Sequence, residues 1–280
     1  MPRRPRFLLV LALLSACAAV AVWYVAFHVA RARHFDASAL SAFAGVVRPP
    51  LTPSIRGLAR FADPLPFVLG GLLLVGVALQ RRRYLMAAVV PVILLSANVF
   101  THLLKPALTD PRVIDWEGAS RVYPGSWPSG HATASMSLAL CLVLVVGPRL
   151  RPVAALLGAG YAIGIGYSLV SAGWHLPSDV LGGYLVAATF TLVGAAVLAA
   201  LESRAPVVAA ARDVPIPWTT LAGPIAAMAG VAVLVSATAI VRDPDLVGGA
   251  VRHTDVLLVI VGIGALGLAL TAGLAMALRR

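Results

Sequence analysis

Pro128-Ser129-Gly130-His131 opens a long apolar run, and a second histidine follows in Gly173-Trp174-His175-Leu176-Pro177-Ser178-Asp179. Upstream, six residues separate Lys105 from Arg112. A serine just before an apolar run is placed to cap a helix, and the free amides of a helix start attract anions. Lysine and arginine add cations that suit phosphate oxygens. Asp179 lies four residues after His175, as the next apolar run begins, so its carboxylate reaches back toward the ring. Together these residue types suit a phosphate monoester and its cleavage.

The elements that must position them are membrane helices. Of 280 residues, 60% are hydrophobic and 12% are charged, about half the charge of a typical soluble domain. Apolar runs fall near 7–30, 65–80, 84–104, 131–147, 153–172, 179–200, 217–241 and 254–278. Most approach the roughly 20 residues that cross a bilayer as a helix. The expected fold is all-α, a polytopic membrane helical bundle. The net charge of +11 does not call for a nucleic acid partner. Arg3, Arg4 and Arg6 precede the first run, and Arg81, Arg82 and Arg83 follow the second. Arg149 and Arg151 follow the fourth, Arg204 and Arg212 the sixth, and Arg279 and Arg280 the eighth. Every second boundary is therefore basic, which predicts cytoplasmic termini. The loops at 31–64, 105–130, 173–178 and 242–253 then face outward.

The 31–64 loop carries five arginines of its own. Within it, Ile55, Leu58, Ala59 and Ala62 recur at helical spacing, with Arg56 and Arg60 on another face. An interfacial helix near 52–62 and an ordinary solvated loop both fit this pattern. Leu14-Ser15-Ala16-Cys17 resembles a lipoprotein cleavage box, but the apolar run continues to Ala30 and favours an uncleaved span. Cys17 and Cys141 read as membrane-buried thiols. Gly160 and Gly164 predict close helix packing. Trp116, Trp127 and Trp174 read as interfacial anchors, and His28, His34, His102 and His253 as interfacial side chains. Pro106 is expected to end the third span just after Lys105.

This pattern resembles the type 2 phosphatidic acid phosphatase family over about residues 60–200. The family's first motif, Lys-x6-Arg-Pro, reads Lys105 to Arg112 here, with Val113 in place of proline. The second, Pro-Ser-Gly-His, matches in full at Pro128 to His131. The third, Ser-Arg-x5-His-x3-Asp, reads Ser168-Leu169, then His175 and Asp179. The resemblance implies that His175 is a nucleophile forming a phosphohistidine and that Asp179 holds its tautomer. It implies that His131 protonates the leaving group. Lys105, Arg112, Ser129 and Gly130 would hold the phosphoryl oxygens, with no metal and no cofactor. The polar and proline-bearing stretch at 201–216 is expected to be a cytoplasmic linker between a PAP2-like core of six spans at 1–200 and a pair of transmembrane helices at 217–280.

Leu169 departs from the pattern, because the family has a phosphate-binding arginine there. Arg121 is a candidate substitute cation in the same outer loop. The expectation is a metal-independent, acid-phosphatase-type enzyme of a bacterial cell membrane, acting at the extracytoplasmic face. Its substrate would be a phosphorylated lipid, either a polyprenyl phosphate or diphosphate or a phosphatidic-acid-like molecule. A phosphotransferase using the same histidine and a non-catalytic lipid-phosphate binder remain alternatives.

Overall fold

A computed structural model describes residues 3–46, 52–108, 125–204 and 253–278. Among these residues helices are the only regular secondary structure. In order come α1 (Arg3–His28), α2 (Ala30–Val46), α3 (Thr52–Ala59) with a 3-10 turn at Arg60–Ala62, and α4 (Pro64–Gln80). They are followed by α5 (Tyr84–Ala107), α6 (Gly130–Val145), α7 (Arg151–Ser171), α8 (Pro177–Arg204) and α9 (Thr254–Ala277). Five helices are long and apolar enough to cross a membrane, and a sixth span arises if α3 and α4, bent by 48°, count as one. The protein is a multi-pass membrane protein.

Helix α6 is the centre of the bundle. Its residues from Ala132 to Leu140 are buried on all faces, as expected of a helix that is apolar all round. Helices α7 and α8 pack on it, α1 lies along α8, and α9 lies along α7. Apolar area gives little drive for helices to pair within lipid, so close packing and interhelical hydrogen bonds hold them. Ser15 Oγ donates to the Leu185 carbonyl at 3.0 Å, linking α1 to α8. Tyr167 donates to the Ile260 carbonyl at 2.7 Å, linking α7 to α9. Ser38 donates to Asp255 at 2.8 Å, linking α2 to α9.

Several expectations change here. Residues 30–46, expected as part of a loop, form α2, and α1 ends one residue before it. The arginines of this segment hid the signal, because α2 is much less apolar than the spans. Residues 52–62 are helical, split into α3 and the 3-10 turn. Helix α5 runs one residue past Pro106, to Ala107, because the capping amide of Leu108 still reaches the Leu104 carbonyl at 3.0 Å. Gly160 has nothing within 4 Å, and Gly164 meets only Leu58 at 3.7 Å. The close approaches fall instead at Gly158, where a Cβ would meet the Ala139 backbone at 3.1 Å, and at Gly166 against Val180 of α8 at 3.0 Å. The expected span at 217–241, the loop at 242–252 and most of the 201–216 linker lie outside the described residues.

Candidate active site

Ser129 is the N-cap of α6, and its hydroxyl oxygen accepts from the Ala132 amide at 3.3 Å. Thr133 donates to the Ser129 carbonyl at 2.9 Å, and Thr101 of α5 donates to Thr133 at 3.2 Å. The start of α6 is thus tied to the end of α5, where Lys105 occupies the last turn. A Cβ built on Gly130 would stand 3.9 Å from Lys105 Nζ. An ammonium beside a helix start adds full charge to the partial positive charge of the free amides.

Helix α8 makes room for this start. A Cβ on Gly183 would lie 2.7 Å from the Ser129 carbonyl oxygen and 3.0 Å from the Thr133 amide. A Cβ on Gly182 would lie 2.6 Å from the Trp127 indole. The two glycines let the chain just before α6 lie directly on α8. Trp127 is consequently 4% exposed and packs with Ala26 and Phe27. It is a core residue beneath the site, not an interfacial anchor.

His175 is aimed by the end of α7. Gly173 has φ +71°, a left-handed conformation that glycine adopts without penalty. The Trp174 amide donates to the Leu169 carbonyl at 3.0 Å and the Gly173 amide to the Val170 carbonyl at 3.0 Å. This is a Schellman ending, which reverses the chain within two residues. His175 follows at once, then Pro177 opens α8. Asp179, in the first turn of α8, lies 3.3 Å from His175 Nδ1 and accepts from the Leu176 amide at 3.1 Å. Its backbone carbonyl accepts from the Ser129 amide at 3.0 Å. One residue therefore orients His175 and anchors the cap of α6. With Nδ1 committed to Asp179, Nε2 is the remaining nitrogen of His175.

His131 stands in the first turn of α6, its ring centroid 6.4 Å from that of His175 and 6.0 Å from that of Trp174. Trp174 thus borders the histidines. His131 Nε2 lies 3.0 Å from Asp63 Oδ1. Sequence reasoning missed Asp63. Asp-Pro at the start of an apolar run marks a helix start, but nothing local indicates a partner 68 positions away.

Asp36 of α2 was also missed. It is 5% exposed and accepts from the Ser178 amide at 3.2 Å and from the Ser178 hydroxyl. This carboxylate caps the start of α8 from another helix, where negative charge meets the positive end of the helix dipole. Asp36 and Ser178 also line a lateral apolar cavity of about 340 Å³ between α1, α2, α8 and α9, which neither histidine borders.

The structure therefore brings Lys105, Ser129, Gly130, His131, His175 and Asp179 to one end of the bundle. Arg112 and Arg121 lie outside the described residues. Leu169 is fully buried in the apolar core, while its carbonyl helps turn the chain toward His175. Among the described residues, no three His, Cys, Asp or Glu side chains cluster as metal ligands would.

Residues 86–202 match the PAP2 superfamily. The comparison with curated proteins found no match. Among solved structures, the chain resembles a transmembrane PAP2-type phosphatidylglycerolphosphate phosphatase from Bacillus subtilis. The TM-score is 0.54 and the identity 18%, covering 70% of this chain and 97% of that one. The matched segment runs from α5 through α8 and holds both histidines, both capped helix starts and Asp179. The PAP2 superfamily match thus falls on the part of the chain that carries the candidate site.

Proposed function

We propose that this protein is a membrane lipid-phosphate phosphatase that works through a phosphohistidine at His175. The observation that carries this reading is the convergence of His175, held by Asp179, with His131 on the capped start of α6. A phosphoryl group held by Lys105 and the first amides of α6 would touch both rings. His175 Nε2 attacks phosphorus, the P–O bond to the lipid breaks, and its electron pair leaves on the lipid oxygen. His131 gives that oxygen a proton. Water then attacks the phosphohistidine, giving its proton to His131 and releasing phosphate. Positioning and charge supply most of the rate in such transfers. Arg112 is assigned to the same phosphoryl oxygens, and Arg121 is an auxiliary cation.

The site is assigned to the extracytoplasmic face. Arg81, Arg82, Arg83, Arg149 and Arg151 flank helix ends at the opposite pole, where the positive-inside rule places the cytoplasm. The start of α1 and the end of α9 share that pole. The substrate is a phosphomonoester or diphosphate lipid with its tail in the bilayer. The similarly folded Bacillus subtilis protein adds phosphatidylglycerolphosphate to the polyprenyl and phosphatidic-acid-like candidates.

The test is phosphate release by the purified chain in detergent across a panel of these lipids, beside His175→Ala. Loss of the nucleophile should lower turnover by about 10⁴-fold or more. Equal turnover by both proteins sinks the mechanism. Leu169 favours a second reading, a lipid-phosphate binder without turnover, because hydrocarbon stands where the resemblance implies a guanidinium. Vanadate binding with no release from any lipid would select that reading.

A further inference from the structure

Asp63 sits at the bend between the 3-10 turn and α4, in the N-cap position of α4. An aspartate there ordinarily accepts from the amides of its own first turn. This one does not; its side chain makes no cap hydrogen bond. The local sequence gives a reason. Pro64 and Pro66 have no N–H, so two of the three first-turn amides are missing. The carboxylate instead reaches across to α6, where Oδ1 lies 3.0 Å from His131 Nε2. An ionised carboxylate only accepts, so the imidazole nitrogen must donate.

We propose that Asp63 is a positioning residue for proton transfer, holding His131 through Nε2 so that Nδ1 carries the proton delivered to the leaving oxygen. This rests on the phosphatase reading above and adds a carboxylate partner for the second histidine. The two imidazoles are then held alike. Asp179 takes Nδ1 of His175 and leaves Nε2 to attack; Asp63 takes Nε2 of His131 and leaves Nδ1 to donate. In the first step the Nδ1–H bond of the imidazolium breaks as the O–H bond of the lipid alcohol forms. The electron pair of the broken P–O bond stays on that oxygen. Asp63 remains ionised throughout, and neutral His131 recovers the proton from the attacking water. The pairing also spans the bend, so it ties the ring to a second helix. Ring orientation then does not rest on α6 alone. Asp63 is 40% exposed and caps nothing, so its replacement need not disturb the fold.

The experiment compares a poor and a good leaving group in the whole chain in detergent. Dioleoyl phosphatidic acid leaves as an alkoxide and needs the proton; 4-nitrophenyl phosphate leaves as a stable phenolate and does not. Asp63→Asn should lower kcat for the lipid about 10²-fold, the lower end of the contribution of a positioned acid. It should change kcat for the aryl ester less than about threefold on the same grounds. Asp63→Glu should recover part of the lipid rate, and KM should hardly move. Equal losses on both substrates would make Asp63 a structural residue and overturn the proposal. So would an unchanged lipid rate in Asp63→Asn. Undiminished lipid turnover by His175→Ala would instead refute the phosphatase mechanism itself, whatever Asp63 does.

Discussion

The two poles of the bundle use polar side chains in opposite ways. At the pole without the histidines, arginines close off helix ends. Arg81 donates to the Val145 carbonyl at the end of α6, and Arg151 donates to the Leu278 carbonyl at the end of α9, at 2.9 Å. Arg83 pairs with Glu202 of α8. Cations here meet the negative ends of helix dipoles and satisfy orphan carbonyls. At the histidine pole, carboxylates meet helix starts and imidazoles. Asp36 caps α8, Asp179 holds His175 and Asp63 holds His131. Lys105 and the start of α6 add positive charge beside these groups. One pole spends its polar groups on closing the structure. The other orients two rings beside an anion site. Arginine number is therefore a poor guide to function in this chain, and the partner of each charge is a better one.

That contrast predicts separable losses. Asp179→Asn should have the largest effect, because an amide no longer enforces the His175 tautomer. Lipid-phosphate turnover should fall by about 10⁴-fold, the scale known for a triad aspartate. A fall of less than tenfold in a phosphate-release assay would remove Asp179 from the site. Next comes Leu169→Arg, which restores the cation that the resemblance implies. It should raise kcat/KM by about 10²-fold, the worth of one preorganised donor. No gain in a folded, monodisperse preparation would mean that the phosphate grip is complete without it. The smallest effect on rate belongs to the other pole. Arg81→Met leaves the Val145 carbonyl without its donor and should cost about 1–3 kcal/mol of stability. Thermal unfolding in detergent should register that cost, while turnover per folded molecule stays unchanged. A rate loss in Arg81→Met without a fall in melting temperature would break the division between the poles.

Much of this was legible beforehand, and the reasons are local. The described spans match the apolar runs because a bilayer demands continuous hydrocarbon length. Ser129 advertises its cap, Gly173 its left-handed turn and Pro177 the start of α8, because each meets a backbone need that few residues satisfy. The i, i+4 reach from His175 to Asp179 needs only helical geometry. Helix α2 was not legible, since its arginines and histidine mask an amphipathic helix beside a long apolar one. Trp127 was misread because a tryptophan near a span end is usually interfacial. Only Gly182 on a distant helix makes room to bury it.

The sequence by itself determined the all-helical membrane character, the caps and turns, and the residue types of the candidate site. Those depend on contacts within a few positions and on the demands of the bilayer. The tertiary structure alone decided the long-range partners. Asp63 meets His131, Asp36 meets Ser178, and Gly183 makes room for Ser129, each across a gap of more than 50 positions. It also decided that Leu169 serves through its backbone while its side chain lies in the core. Such pairings depend on how helices stack, and no short-range pattern in the chain encodes which helix faces meet.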